Sequence, residues 1–360
     1  MKTAEFDYYL PDELIAQTPI EPRDAARLMV VERATGEIHH RCFRDLLDLL
    51  SPGDILVVND SRVMAARLYA RKASGGQVEL LLLRRLDDRR WEALMGGRRV
   101  RPGTCLQLQT EGSQAKVRVL EDLGEARRVV EFDQATGDGW LEEVGQVPLP
   151  PYIHVPLADR ARYQTVYSRE SGSAAAPTAG LHFTPELLLS LRARGVHIAA
   201  VTLHIGLDTF KPVTAEEVTE HTLHSEWASL SPEAAQRINQ ARLAGGRVVA
   251  VGTTAVRTLE TAALRSAGVT GSLREASRLH VNVCPWRPVA AFEGPTDLFI
   301  YPGFRFRVVD VLLTNFHLPR SSLLMLVSAF AGLELIRRAY QVAIEQRYRF
   351  YSFGDAMLIL

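Results

Sequence analysis

The sequence predicts an α/β protein, a mostly parallel sheet domain carrying an inserted small antiparallel β-barrel domain, and three observations carry that expectation. Apolar strands alternate with helix-period segments in both end portions of the chain, which implies right-handed crossovers and a parallel sheet covered on both faces. From about residue 63 to 147 the texture changes to short apolar or alternating runs, separated by glycine-containing turns every 8 to 14 residues or so. The stop Pro148-Leu149-Pro150-Pro151 closes that region, and helical patterns follow it. The division that results is 1–62 with 148–360 for the sheet domain and 63–147 for the insertion.

Taken in order, Leu28 to Val31 reads as a strand, Phe43 to Leu50 has helical spacing, and Ile55 to Val58 is a second strand after the Pro52-Gly53 turn. Within the insertion, Gln77 to Leu83, Trp91 to Met95, Cys105 to Leu108, Ala115 to Leu120 and Val129 to Phe132 are short strands, with no stretch long enough for a helix between them. A small barrel or sandwich follows. Beyond the prolines, helices are expected over Pro185 to Arg194, Pro232 to Leu243 and Val256 to Ala267, and strands over Ile198 to Leu203, Val248 to Val251 and Val308 to Leu313.

Composition narrows the function. With 360 residues, 47% hydrophobic and 23% charged, the chain folds and has length for about two domains. Forty-two basic residues balance forty-two acidic ones, so no overall field holds nucleic acid indiscriminately. The first twenty residues lack a signal peptide's apolar run, and no stretch approaches the ~18 apolar residues of a membrane span. A cytoplasmic protein is expected, with no membrane contact. Cys42, Cys105 and Cys284 have no CxxC spacing and read as small buried hydrophobes.

Ligands of open α/β sheets collect at the carboxyl ends of strands. There the sequence places Asn59-Asp60-Ser61-Arg62, His204-Ile205-Gly206, Gly252-Thr253-Thr254 and Thr314-Asn315-Phe316-His317. The Gly252 turn leads into a helix, so it suits a carboxylate or phosphate, or else Thr254 simply caps that helix. Arg257, one turn on, pairs with an acidic ligand or with a surface carboxylate. The loop from Gly172 to Thr184 is small and flexible and ends at His182 and Phe183, before a helix capped by Thr184 with Pro185 at its first position. No GxGxxG or Walker loop is present. His221, His224 and Glu226 have spacings a metal can use, but without cysteine ligands or HExxH no metal is expected. Residues 62 to 101 hold eleven arginines or lysines against four acids, which is either a phosphate-binding patch or a set of solvated strand faces.

At these same loops the sequence resembles the S-adenosylmethionine:tRNA ribosyltransferase-isomerases of queuosine biosynthesis. The matching stretches include LIAQTPIEPRDAARLMV (14–30), GDILVVNDSRVMAARL (53–68), GSAAAPTAGLHFT (172–184), VTLHIGLDTFKPV (201–213), VGTTAVRTLE (251–260), TDLFIYPGFRFRVVDVLLTNFHLPRSSLLMLVSAFAG (296–332) and YRFYSFGDAMLIL (348–360). The resemblance implies that the ribosyl part of S-adenosylmethionine moves onto 7-aminomethyl-7-deazaguanine at the tRNA wobble position, giving epoxyqueuosine and releasing adenine and methionine. S-adenosylmethionine is then a consumed substrate and no cofactor is implied; the partner is tRNA carrying the deazaguanine precursor, met by a monomer. It also implies the α/β domain with an inserted barrel.

That reaction needs a base for a proton made acidic by the sulfonium, a donor for departing adenine, and an unprotonated amine. His182, His204, His317 and Asp60 are the catalytic candidates, with the base left open among the histidines. Phe183, Phe210, Phe316 or Asp60 can face the sulfonium. The Gly252-Thr253-Thr254 amides or Arg257 can take the methionine carboxylate, Thr178 and Asn315 complete the substrate candidates, and Asp60 with Arg62 is the alternative reader of the deazaguanine edge. Arg98, Arg99, Arg101, Arg160 and Arg162 are the candidates for tRNA phosphates. Two other readings predict other outcomes: a methyltransferase yields adenosylhomocysteine, and a non-catalytic RNA binder yields no adenosyl turnover.

Overall fold

The computed structural model describes residues 1–360 apart from 98, 111–114, 125, 207–211, 277, 278 and 280. The chain forms two compact units, Met1–Ser61 with Pro150–Glu170 and Ala176–Leu360, and Arg62–Leu149 with Ser171–Ala175.

The first unit is built on nine strands: β1 (Arg27–Val31), β2 (Ile38–Cys42), β3 (Ile55–Asn59), β4 (His197–Leu203), β5 (Glu226–Leu230), β6 (Val248–Val251), β7 (Phe292–Thr296), β8 (Val311–Asn315) and β9 (Ala356–Ile359). Their order across the sheet is β7-β5-β4-β3-β6-β8-β9-β1-β2. The four central strands β4, β3, β6 and β8 are mutually parallel, in the registers Ala199↔Val57, Val57↔Ala250 and Ala250↔Leu312. Both flanks turn antiparallel, at β4/β5 and at β8/β9, so the sheet is mixed. Chain parity explains the second reversal: two helices, an even number, separate β8 from β9 and return the chain to the edge it left.

Among the described residues, five helices of two turns or more cover the sheet: α1 (Pro185–Ala193), α2 (Pro232–Leu243), α3 (Gly252–Ser266), α4 (Ser322–Ala331) and α5 (Leu333–Glu345). Strand alternation divides the core. Ile55 and Val57 of β3, with Val248 and Ala250 of β6, pack among the apolar faces of α2 to α5. Leu56, Val58, Val249 and Val251 point the other way, onto Leu187 and Leu191 of α1. Those two leucines are 4% and 0% exposed, and each such burial contributes about 1.5–3 kcal/mol. The expected start of α1 is present: Thr184 accepts from the Leu187 amide at 3.1 Å with Pro185 at the first position.

The second unit is a closed six-stranded barrel in the order Arg127–Phe132, Arg90–Met95, Gln77–Arg85, Arg67–Lys72, Cys105–Leu108, Lys116–Gly124, antiparallel throughout. Trp91, 1% exposed, fills its interior and donates its indole N–H to Thr136 at 2.8 Å.

Several expectations need correction. Phe43 to Leu50 forms only a turn of 3-10 helix and the short helix Leu46–Leu49. The last predicted strand starts at Val311, not Val308, because the amides of Val308 and Val309 are drawn to the buried Glu260 carboxylate instead of to a neighbouring strand. A seven-residue helix, Asp138–Val144, lies in the segment expected to hold none. Cys105 and Cys284 are exposed and Cys42 is half-buried, so the cysteines are not core residues.

Candidate active site

Two clefts open at the carboxyl ends of the parallel strands of the sheet unit. The first is bounded by the start of α3, the segment after β8 and the Ala176–Ala179 loop. Gly252 follows β6 directly and takes φ +84°, a backbone that L side chains resist, and no side chain caps the helix it begins. The first-turn amides of α3 therefore present donors and the positive end of the helix dipole to the cleft. Thr254 is 8% exposed and its hydroxyl has no hydrogen-bond partner in the protein. A buried unpaired hydroxyl costs about 1–3 kcal/mol. An anion at the helix start would relieve it.

Across the same cleft sits His317, held at three points. Its amide donates to the Tyr340 hydroxyl at 2.8 Å, its carbonyl accepts from the Tyr8 hydroxyl, and its Nε2 lies 2.7 Å from Thr314 Oγ1. Burial lowers its pKa to about 3, so the ring is neutral at physiological pH. Phe316, fully buried, borders the cleft and is braced edge-on by Tyr340 and Tyr348. Tyr351 and Tyr152 line it too, their rings tilted at 54° with centroids 4.7 Å apart.

Asn315 and Thr178 line this cleft as well, and Asn315 is an anchor. It accepts from Thr178 Oγ1 at 3.0 Å, donates to the Tyr351 carbonyl at 3.2 Å, and its Nδ2 lies 3.4 Å from His182 Nε2. Burial, followed by the Arg349 and Arg23 guanidinium groups, brings His182 down to about 3. His182 thus positions Asn315 and lines a small separate recess with Arg23 and Arg162.

The second cleft lies over β3, β4 and β5 and holds Asp60 and His204. Asp60 is 3% exposed; Thr202 donates to one of its oxygens at 2.8 Å and Arg169 to the other at 2.9 Å. Burial outweighs both partners and raises its pKa. His204 stacks on Trp227 with ring centroids 5.3 Å apart and planes 18° apart, and its Nδ1 is unpartnered. The two clefts are neighbours in sequence as well: Ile205 lines the first and His204 the second.

The five residues expected to meet in one pocket therefore divide: Thr253 and His317 in the first cleft, Asp60 and His204 in the second, His182 behind the first. Others leave the ligand candidates. The Arg257 guanidinium is committed to Glu226 and to the Leu298 and Thr296 carbonyls, a buried pair that also holds the Gly206 amide through Glu226 at 2.8 Å. Phe183 is fully buried against Phe43 and Tyr167, so it is core. Arg62 belongs to the barrel unit, where it pairs with Glu142 at 2.9 Å. Phe210 and Arg98 lie outside the described residues. Glu226, so engaged, is not a metal ligand, and among the described residues no three His, Cys, Asp or Glu side chains group for a metal.

Of the proposed phosphate contacts, Arg99, Arg101 and Arg160 are exposed, whereas Arg162 is spent on Glu21 and the Ile20 carbonyl. All four acids of the 62–101 stretch are paired with its arginines: Glu79 with Arg67, Asp87 with Arg90, Asp88 with Arg85 and Glu92 with Arg84. Its remaining field includes that of the exposed Arg99 and Arg101. Trp227, Thr202, Tyr152 and Tyr351 were not legible as site residues. Trp227 and Thr202 sit inside strands, where alternation alone accounts for them, and the tyrosines are brought in from distant segments.

The chain matches the family described as queuosine biosynthesis protein over residues 3–359. It is 56% identical, over the whole of both chains, to the S-adenosylmethionine:tRNA ribosyltransferase-isomerase of Symbiobacterium thermophilum, and 53% identical over the same span to that of Heliobacterium modesticaldum. The crystal structure of the S-adenosylmethionine tRNA ribosyltransferase of Thermotoga maritima is similar at 40% identity, covering 99% of this chain and all of that one, with a TM-score of 0.54.

Proposed function

This chain belongs to the queuosine biosynthesis protein family as a tRNA ribosyltransferase-isomerase, and from that premise we propose that it moves the ribosyl part of S-adenosylmethionine onto 7-aminomethyl-7-deazaguanine at the tRNA wobble position. Epoxyqueuosine forms, adenine and methionine leave, and S-adenosylmethionine is consumed with no cofactor required. Cytoplasmic tRNA is the substrate; no helix of the described residues is long and apolar enough to cross a membrane.

The observation that carries this reading is the pairing, in one cleft, of an uncapped helix start with a neutral histidine. In the proposal the methionine carboxylate rests on the Thr253 and Thr254 amides, with Thr254 Oγ1 as a further donor. The sulfonium lies against the Tyr351 ring, a contact worth roughly 0.5–2 kcal/mol, since Phe316 is as fully buried as Phe183. In the proposed tautomer His317 donates from Nε2–H to Thr314 Oγ1, 2.7 Å away, and so accepts the proton from the carbon beside the sulfonium at Nδ1. A base with a depressed pKa is unprotonated at working pH but a weaker proton acceptor, so positioning and the sulfonium's acidifying effect must supply the rest.

The test incubates the protein with S-adenosylmethionine and tRNA bearing the deazaguanine precursor and follows the products by chromatography. Free adenine and methionine are expected. Adenosylhomocysteine as the product would make the protein a methyltransferase and overturn the reading.

A further inference from the structure

The second cleft contains no residue that the first needs, yet it has the parts of a nucleobase pocket. Trp227 projects from β5 with one face covered by His204, and 38% of the residue remains exposed. An exposed tryptophan lining a cleft, rigidly backed by a second ring, is a stacking platform. The cover is firm because the His204 amide also donates to the Trp227 carbonyl at 3.0 Å.

Beside the platform lies Asp60, oriented by Thr202 and Arg169 at 2.8 and 2.9 Å. Each carboxylate oxygen keeps a second lone pair for a ligand. A guanine-type edge offers two adjacent N–H donors, the complement of a carboxylate. Glu170 and Glu233 stand on the rim with Arg169 and Arg237, so the cleft has three carboxylates to two guanidinium groups, an environment that favours a ligand carrying an amine. Among the described residues the first cleft has no carboxylate in its lining, but has aromatic rings and the helix start, which suits the adenosyl donor.

We propose that the second cleft is the acceptor-base subsite, where the 7-aminomethyl-7-deazaguanine of the tRNA stacks on Trp227 and turns its amino edge to Asp60. The inference rests on the proposed function and adds to it the place of the nucleophile. The consecutive residues His204 and Ile205, one in each cleft, put the acceptor base beside the donor. Trp227 is then a binding residue, and His204 its positioning partner.

The experiment compares wild type, Trp227→Ala and Trp227→Phe, each as the full chain. Labelled tRNA bearing the precursor base and the same tRNA abasic at the wobble position are titrated, and KM for tRNA and for S-adenosylmethionine is measured by adenine release. The expected result is that Trp227→Ala abolishes wild-type discrimination between the two tRNAs and raises KM for tRNA by about 10-fold or more, the scale of one lost base stack. KM for S-adenosylmethionine should stay put, and Trp227→Phe should recover most of the loss. Retained discrimination in Trp227→Ala overturns the proposal, as does a rise in KM for S-adenosylmethionine instead, which would seat the adenine here. If wild type binds and discriminates but releases no adenine, the proposed function fails while the base pocket stands.

Discussion

Thr314 Oγ1 lies 2.7 Å from Nε2 of His317, so the hydrogen bonding of that ring is settled on one nitrogen. Nδ1 is left to the cleft. His317→Gln should therefore lower single-turnover adenine release by about 10²–10⁴-fold, the usual loss for a proton-transfer group. Thr314→Val, which removes one hydrogen bond worth about 1 kcal/mol, should cost about 5-fold in kcat with KM for S-adenosylmethionine unchanged. Wild-type rates in His317→Gln would hand the proton to another group.

Glu226 and Arg257 are 10% and 8% exposed at their side chains, and breaking such a pair leaves a charge buried without its partner. The single variants Glu226→Leu and Arg257→Met should each lose about 3–5 kcal/mol, a fall in thermal midpoint on the order of 10 °C. The double variant should recover most of it. Because Glu226 also holds the Gly206 amide, the Glu226 variant should additionally weaken substrate binding.

Protonation gives a third test. His182 and His317 are held near pKa 3 in the folded state, far below the ordinary imidazole value of about 6.5. Between those values the unfolded chain binds more protons, so this contribution to stability is complete above pH 6.5 and is lost as pH falls toward 3. Asp60 and Glu260, whose pKa values burial raises, act with the opposite sign. The difference between wild type and His182→Gln isolates the histidine: over pH 5 to 6.5 the variant's stability should fall with a slope smaller by up to one proton. Equal slopes would mean that His182 is charged in the fold.

At Gly252 the constraint is the backbone. A methyl group would meet Ala179 Cβ at 3.6 Å and Thr254 Oγ1 at 3.7 Å, ordinary contacts, but φ is +84°. Gly252→Ala should cost about 1–2 kcal/mol of stability. A rise in KM for S-adenosylmethionine should accompany it as the α3 amides tilt. Measuring both separates strain from loss of the anion site.

Arg99 and Arg101 are exposed on the barrel unit. Reversing both, as Arg99→Glu with Arg101→Glu, should weaken tRNA binding and reduce the slope of log affinity against log salt by about 0.7–0.9 per phosphate lost. An unchanged slope would return them to plain solvated surface.

Much of this architecture can be read from residue order. The central strands and the helices α1 and α2 follow from apolar runs ended by capping residues, as at Thr184 and Ser231. The polar groups after those strands could be located because a buried parallel strand has only its ends to offer. What escapes is what depends on distant partners. Glu260, inside α3, looks like a surface residue until three amides from residues 307–309 are found on it. Arg257 could have faced a ligand as easily as Glu226, and nothing local decides between them. The division of the expected pocket into two clefts is of this kind too, since the consecutive residues His204 and Ile205 face different sides.

The position of β9 between β8 and β1 bears on how the molecule is made. Of the nine strands β1 is made first and its interior neighbour β9 last, while all six barrel strands lie together between Arg67 and Phe132. On a translating ribosome the barrel can therefore mature early, with β1 exposing an open hydrogen-bonding edge until its partner arrives. Chaperone demand should accordingly concentrate on the sheet, and shortening the chain before Ala356 should yield a folded barrel attached to an aggregation-prone remainder.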